Sequence, residues 1–333
     1  MILALESSCD DSAASVIDIE SGAILFERKI AQNEAHGEFG GVVPELAARL
    51  HAENLPKLIE SAASYLPRLK AVAVTNAPGL TVSLAEGVAA AQAISLAMRI
   101  PLLAINHIKG HVYSLFIDRA ATFPLLALMV SGGHTELIAA RSYDRMSEVA
   151  VTLDDSIGEA FDKAAVMLGR GYPGGAVIEN LARDGDENRF EFPLPLKNDK
   201  RIAFSFSGLK NSLRLLLERL GETDDQTKRD VAASFQKALF RHLLEKTRLF
   251  LSLGSHDAEY FGVVGGVSAN RCLRSAFEAL AMEFGLKSLF APLEYCSDNA
   301  AMIARAALEA YRAGEFCDPS NVAIVSRISL ERR

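Results

Sequence analysis

Short apolar runs punctuated by small polar turns dominate the first third of the chain. Ile2 to Glu6 reads as a strand, Ser7-Ser8-Cys9-Asp10-Asp11-Ser12 as a polar turn, and Ala13 to Ile19 as the returning strand. A third strand runs through Ala23 to Ile30. Gly37 to Gly41 breaks the chain before Pro44-Glu45-Leu46, which opens a long amphipathic helix with proline at its first position. Lys70 to Thr75 is a further apolar strand, and Asn76-Ala77-Pro78-Gly79-Leu80 is a loop feeding an Ala-rich helix from about Val82 to Met98. Ile100 to Ile105 is a short buried strand, and Asn106 is a good N-cap for a helix beginning beside it.

The pattern then begins again. Leu125 to Val130 is a buried strand, Ser131-Gly132-Gly133-His134 a tight turn, Thr135 to Arg141 a returning strand and Ser147 to Leu153 a third. A helix follows from Ile157 to Leu168, and later come the strand Tyr260 to Val264, the turn Gly265 to Asn270 and a helix through Phe284. Strand, polar hairpin tip, strand, strand, helix, strand, helix thus occurs twice, with slight identity between the halves. Two such halves facing each other are expected to set their hairpin tips on opposite walls of one cleft, a layout suited to a nucleotide. Helical periodicity from Phe206 to Leu220 and from Asp225 to Leu253 marks an insert in the second half.

Chemistry concentrates at a few points. In a helix capped by Asn106, His107 and His111 sit at i and i+4, stacked on one face about 5–6 Å apart. Two neutral imidazoles so placed can bind one borderline-soft cation and leave positions for a third ligand and a substrate. Two unrelated surface histidines are the plainer alternative. Asp298, in Ser297-Asp298-Asn299 before the last helix, is either a capping acid or the oxygen donor that completes a His/His/Asp site. Gly-rich turns recur at strand ends, Ser131-Gly132-Gly133, Tyr172-Pro173-Gly174-Gly175 and Gly265-Gly266, and allow close approach of a ligand to backbone amides. Asp162 and Glu179 are acids of the kind that accept from ribose hydroxyls, although Asp162 can instead pair with Lys163 and Glu179 can be an exposed helical acid. The Ser7 to Ser12 tip offers hydroxyls and amides to a phosphate and two acids to a metal or base, or is an ordinary exposed turn.

Length and charge narrow this picture. At 333 residues, half of them hydrophobic, the chain suggests two domains of a soluble enzyme-like protein. No apolar run is expected to approach the ~18 residues of a membrane span, and an acid at Glu6 comes too early for a signal peptide. Cys9, Cys272, Cys296 and Cys317 show no Cys-x-x-Cys spacing, which suits reduced thiols in a cytoplasm. A net charge of −7 argues against strong unaided nucleic-acid binding. The best local basic surface is the insert, with Lys197, Lys200, Arg201, Lys210, Arg214, Lys228, Arg229, Lys237 and Arg241; it is an RNA contact or a set of solvated helix faces.

Taken together, the motifs resemble, over nearly the whole length, the universal tRNA threonylcarbamoyladenosine-forming transferases, formerly called glycoproteases. The matching stretches are Glu6 to Asp11, Gly40 to Ala47, Ala77 to Leu80, Asn106 to His111, Val130 to Thr135, Gly158 to Lys163, Tyr172 to Gly175, Phe204 to Lys210, Gly265 to Asn270 and Cys296 to Asn299. The resemblance implies an α/β chain of the actin/Hsp70/sugar-kinase fold, duplicated RNase H-like domains flanking a nucleotide cleft. On that fold the first lobe spans 1–107, completed by a C-terminal helix over about 299–333, and the second spans 108–298 with the insert at about 195–255. It implies one divalent metal per chain on His107, His111 and Asp298, Fe2+ ahead of Zn2+. It implies nucleotide or acyl-adenylate contacts from Met129, Val130, Ser131, Gly132, Gly133, Asp162, Gly175, Glu179 and Asn270. The implied reaction transfers a threonylcarbamoyl group from threonylcarbamoyl-AMP to N6 of adenosine 37 in tRNAs reading ANN codons, with release of AMP. Asp10 or Asp11 is the candidate to orient N6 or take its proton. The implied partners are tRNA, an inactive bacterial paralogue and a small ATPase; no membrane is implied, and a homodimer is compatible with the resemblance.

Three departures from the family pattern stand out. Ser7, Asp11 and Ser12 replace Thr, Glu and Thr in the first motif, so Asp11 lacks the reach of a glutamate. Lys109 stands where an acid is common, and the C-terminal Arg-Pro-Arg-Trp-Pro-Leu is reduced to Ser326-Arg327-Ile328-Ser329-Leu330. Two other functions compete. A metallopeptidase needs a water-activating carboxylate beside the histidines, and Lys109 fits that poorly. An inactive scaffold would be expected to lack the His pair, which this chain keeps.

Overall fold

The first apolar run is a strand with neighbours on both edges, antiparallel to Asp11–Ile17 and parallel to Ala71–Ala77. All its residues are buried, as a mid-sheet strand covered on both faces requires. The computed structural model describes residues 1–254, 256–328 and 330–332. Its elements run β1 Ile2–Glu6, β2 Asp11–Ile17, β3 Ile24–Ala31, α1 Asn33–Gly37, α2 Pro44–Ser61, β4 Ala71–Ala77, α3 Thr81–Met98, β5 Leu102–Asn106 and α4 His107–Ser114. They continue with β6 Leu125–Val130, β7 Thr135–Ala140, β8 Met146–Val151, α5 Ile157–Met167, α6 Gly174–Ala182, α7 Ser207–Leu220 and α8 Asp225–Ser252. The last are β9 Tyr260–Val264, α9 Arg271–Glu283, β10 Lys287–Phe290, α10 Ala300–Ala313 and β11 Glu331–Arg332.

The chain divides into two compact units, Met1–Ala121 with Ala291–Ser329, and Thr122–Phe290 with Leu330–Arg333. A boundary at 107/108 would fall one residue into α4, the helix that β5 leads into; the first unit instead keeps α4 whole, because α4 packs on α10. The sheet of the first unit has the order β3-β2-β1-β4-β5, and that of the second β10-β9-β6-β7-β8-β11. Each contains a three-stranded antiparallel meander whose first strand pairs in parallel with the strand after the helices. The repeat read from apolar periodicity is therefore a repeat of topology.

In the first unit Leu3, Leu5, Val72, Val74, Val88 and Ala91 form one core cluster. The small residues of α3 let it lie close on β4: a Cβ at Gly87 would stand 3.4 Å from Val74 Cγ2. By length and composition α3 is apolar enough to cross a membrane, contrary to the expectation that no run approaches that length. Its buried face, Ser83, Leu84, Gly87, Val88, Ala91 and Ser95, instead packs within the unit. In the second unit α5, α7 and α8 cover Leu126, Leu128 and Val130 of β6 with Phe161, Leu209, Phe235 and Leu239.

Two readings need correction. The final helix ends at Ala313 with Gly314 in the left-handed region, and the described residues that follow are not helical: Asn76 Nδ2 donates to Ala323 O and Gly79 N to Ser326 O. Tyr172 to Gly175 is not at a strand end but joins α5 to α6, and it starts α6. Strand β10 has no counterpart in the apolar pattern; its four residues are half-buried at most and lack a long apolar signal.

Candidate metal centre and nucleotide site

The centre begins with local capping. The Asn106 side chain accepts from the backbone N–H groups of Ile108 and Lys109, which starts α4 at His107 and puts His107 and His111 one turn apart. Their rings meet edge to face with centroids 4.6 Å apart, and the two Nε2 atoms lie 3.2 Å apart. Asp298 arrives from far along the chain, its Oδ1 lying 3.0 Å from His111 Nε2 and 3.6 Å from His107 Nε2. Asp298 is not the cap of α10. Asn299 fills that place by accepting from Met302 N, which leaves the neighbouring carboxylate for the histidines.

Three ligand atoms, one on each of these residues, lie within 4.8 Å of one another and form a group able to hold a metal ion. The donor chemistry fits a cation. Two imidazole nitrogens and a carboxylate oxygen converge on one place, and without a positive centre between them at least one nitrogen must carry a proton. In the protein alone that proton belongs to His107. Burial, the largest influence, lowers its pKa, but the Asp298 and Glu6 carboxylates together outweigh burial and raise it to about 9. His111 is pushed down, chiefly by burial, and is neutral. Burial would raise Asp298, yet the two histidines and Lys29 hold its carboxyl well below the usual range.

Two residues that sequence reasoning did not single out complete this corner. Glu6, the acid closing β1, is fully buried, with Oε2 3.3 Å from His107 Nδ1. Burial raises its pKa most, but the charge and hydrogen bond of His107 leave it lowered overall. Lys29 on β3 spends its three N–H donors on Asp11 Oδ2 at 2.9 Å, Ser297 Oγ at 3.0 Å and Asp298 O at 3.1 Å. It thereby ties Asp11 to the Asp298 loop. An acid ending an apolar strand, and a lysine in the middle of one, were the only available signals. Asp11 opens β2 rather than sitting in the turn, and burial raises its pKa to about 6 despite Lys29. Asp10 is half-buried at the tip, one residue before β2.

In the second unit the predicted nucleotide residues gather around α5. Gly158 and Asp162 lie one turn apart on it. A Cβ at Gly158 would stand 2.7 Å from Gly132 Cα, so the Ser131-Gly132 turn rests on that face. Asp162 accepts from Gly174 N at 2.7 Å and holds the start of α6; Lys163 pairs with Glu159, not with Asp162. Glu179 accepts from Arg271 N, and Asn270 caps α9 by accepting from Leu273 N. Met129 and Val130 are completely buried in β6, backbone included. At Gly132, Gly133 and Gly175 an added Cβ would enter open space.

Five of the nine cations of the basic insert are engaged in ion pairs. Acids engage Arg201, Lys210, Arg214, Lys237 and Arg241, through Asp199, Asp155, Glu218, Glu187 and Glu245. The Phe204 to Lys210 motif is held by Asp154, which accepts from Ser205, Phe206 and Ser207.

Two sheets of repeated topology are those of the actin/Hsp70/sugar-kinase class. Among solved structures, T. kodakarensis HypF superposes with a TM-score of 0.64 at 15% identity, over 94% of this chain and 48% of that one. Full-length HypF in its phosphate- and nucleotide-bound form gives 0.59 at 13%, over 94% and 47%. The chain spans about half the length of those two proteins, and the likeness is one of fold. Within the class, the model of the tRNA N6-adenosine threonylcarbamoyltransferase family matches residues 23–305, and the chain belongs to that family. The tRNA N6-adenosine threonylcarbamoyltransferase of Wolinella succinogenes is 53% identical over 98% of both chains. The proteins of that name from a Nitratiruptor species and a Sulfurovum species are 53% and 50% identical, over 98% of this chain and 99% and 97% of theirs.

Proposed function

We propose that this chain is an acyltransferase that moves a threonylcarbamoyl group from threonylcarbamoyl-AMP onto N6 of adenosine 37 in tRNAs reading ANN codons, releasing AMP. The observation that carries the reading is the convergence of His107, His111 and Asp298, in a chain that matches its named relatives end to end. The group fits one divalent cation, and the mixed nitrogen and oxygen donors suit Fe2+ or Zn2+. When bound, such an ion supplies Lewis-acid polarisation of the acyl group or its phosphate.

The remaining work belongs to the chain's own residues. AMP already activates the carbamoyl carbon, so positioning and charge stabilisation dominate. The N6–carbon bond forms, the carbon–oxygen bond to AMP breaks, and one proton leaves N6. Asp11 is the acid we assign to that proton. With its carboxyl raised to about 6 by burial, and with Oδ1 buried without a hydrogen-bond partner among the described residues, it is a carboxylate at neutral pH and basic enough to accept. The turns at Ser131 to Gly133 and at Gly175 are the proposed seats of the AMP moiety. Ordinary glycine approach supports this: their Cβ directions are open and their backbones are fixed by α5.

The acidic net charge and the paired insert cations support tRNA docking with protein partners, the paralogue and the small ATPase. The four cysteines are free, which agrees with work in a reducing cytoplasm. The deciding experiment is nucleoside analysis of tRNA from a depleted strain, complemented with wild type or with a His107→Ala, His111→Ala double mutant. Wild type should restore threonylcarbamoyladenosine and the double mutant should not. Restoration by the double mutant would remove the metal group from the reaction, and no loss on depletion would overturn the function.

A further inference from the structure

Glu6 is an unusual residue for its place. It ends a strand buried on both faces, its carboxylate is wholly out of solvent, and nothing in the proposed reaction uses it. A lone buried carboxylate is costly, so its partners indicate what it is for. Oε1 accepts from Ser8 N at 2.6 Å, and Oε2 accepts from the Thr75 hydroxyl. The remaining partner of Oε2 is His107 Nδ1 at 3.3 Å, with Ser8 Oγ 3.1 Å from the same nitrogen. The other nitrogen of that ring, Nε2, is the one facing His111 and Asp298.

We propose that Glu6 is a positioning residue that fixes the orientation and tautomer of His107, so that Nδ1 carries the hydrogen and Nε2 presents its lone pair to the cation. An ionised carboxylate only accepts hydrogen bonds, so Nδ1 must donate to it. Pinned by Ser8 N and Thr75, the carboxylate cannot swing away, and the ring cannot flip without losing a buried hydrogen bond. A carboxylate behind a ligating imidazole also raises the basicity of the ligand nitrogen. The inference rests on the metal reading proposed above and adds to it the residue that holds the ligand in its binding form.

The test uses the full chain stripped of metal and titrated with Zn2+ against a chelating indicator at fixed pH. Glu6→Gln, melting as wild type does, should bind Zn2+ about 10–100-fold more weakly. In a His107→Ala background, Glu6→Gln should change the residual affinity by less than about twofold, because Glu6 acts through His107. Equal affinity of Glu6→Gln and wild type would overturn the proposal, as would a loss of the same size with and without His107. The Zn2+-loaded wild type provides an independent measurement by 15N NMR: His107 should show a protonated Nδ1 and a metal-shifted Nε2, and the reverse assignment overturns the proposal even where the variant does not fold. A wild type that binds no Zn2+ overturns the metal reading itself, whereas wild-type binding with an unaffected Glu6→Gln overturns only the role of Glu6.

Discussion

Gly110 lies so close to Ile303 that a Cβ at position 110 would stand 2.6 Å from Ile303 Cδ1 and 3.5 Å from Met302 Cγ. Gly110 is the residue between His107 and His111 that faces α10, and Ile303 belongs to the first turn of that helix, just after Asp298. The close approach of the two helices is what brings a carboxylate to two imidazoles. Arg305 reinforces it, donating from Nε to Phe116 O at 2.9 Å with its guanidinium 5.3 Å over the Tyr113 ring.

Gly110→Val should therefore push α4 from α10 and separate His111 from Asp298. Overpacking of this kind costs about 1–3 kcal/mol. Gly110→Ala should do less, because the first atom it meets is the end of the Ile303 side chain. Thermal unfolding and zinc titration of both variants check this; a Gly110→Val protein with wild-type melting and zinc affinity contradicts it.

The open Cβ directions at Gly133 and Gly175 make a clean test of the nucleotide seat. Neither residue has a positive φ, so Gly133→Val and Gly175→Val should keep the fold by circular dichroism. Calorimetry with AMP should show affinity falling at least tenfold in each, because a branched side chain stands where phosphate or ribose must approach backbone. Unchanged affinity in both variants moves the nucleotide elsewhere.

For tRNA, the ion pairs change which residues merit mutation. Lys210 and Arg214 are already held by Asp155 and Glu218, so reversing their charge disturbs structure as well as RNA. Lys197 and Lys200 are exposed, and no described salt bridge engages them. They sit on a loop gathered by the Lys246 ammonium, which donates to Leu196 O, Asp199 O and Arg201 O at 3.0, 2.6 and 3.2 Å. Lys197→Glu with Lys200→Glu should weaken tRNA binding in the reconstituted complex. The salt slope should fall by about 0.7–0.9 for every phosphate that is no longer neutralised, with AMP and metal binding intact. An unchanged slope makes this loop a solvated face.

Glu136 supplies a pH dependence. Burial, with the Glu148 carboxylate beside it, raises its pKa from 4.5 to about 7, and Oε2 is buried without a hydrogen-bond partner among the described residues. A raised folded-state pKa means that its contribution to stability is complete below about pH 4.5 and is lost as pH rises through about 7. Glu136→Gln should melt close to wild type near pH 5 and above it at pH 8, by on the order of 1–3 kcal/mol. A variant that is less stable than wild type at pH 8 contradicts the assignment.

Much of this protein was readable from local pattern. Strand β6 and the α4 start follow from an apolar run and from the Asn106 cap, because strand burial and helix capping are decided within a few residues. The spacing of His107 and His111 also sufficed to put both rings on one helix face, since helical periodicity needs no tertiary contact. The family was legible in the same way, as ordered short motifs. What local pattern left open were the alternatives at single polar residues. Asp298 could cap a helix or bind a metal, and Asn299 decided it by taking the cap. Asp162 could pair with Lys163, but Glu159 has the lysine and Gly174 N has Asp162. Glu6 and Lys29 showed only as a charge at the end of one apolar strand and in the middle of another, because their partners lie on distant strands and loops. A side chain's role is set by which donors and acceptors share its buried surroundings, and only the folded packing of α4 on α10 and of β1 among its neighbours brings those groups together.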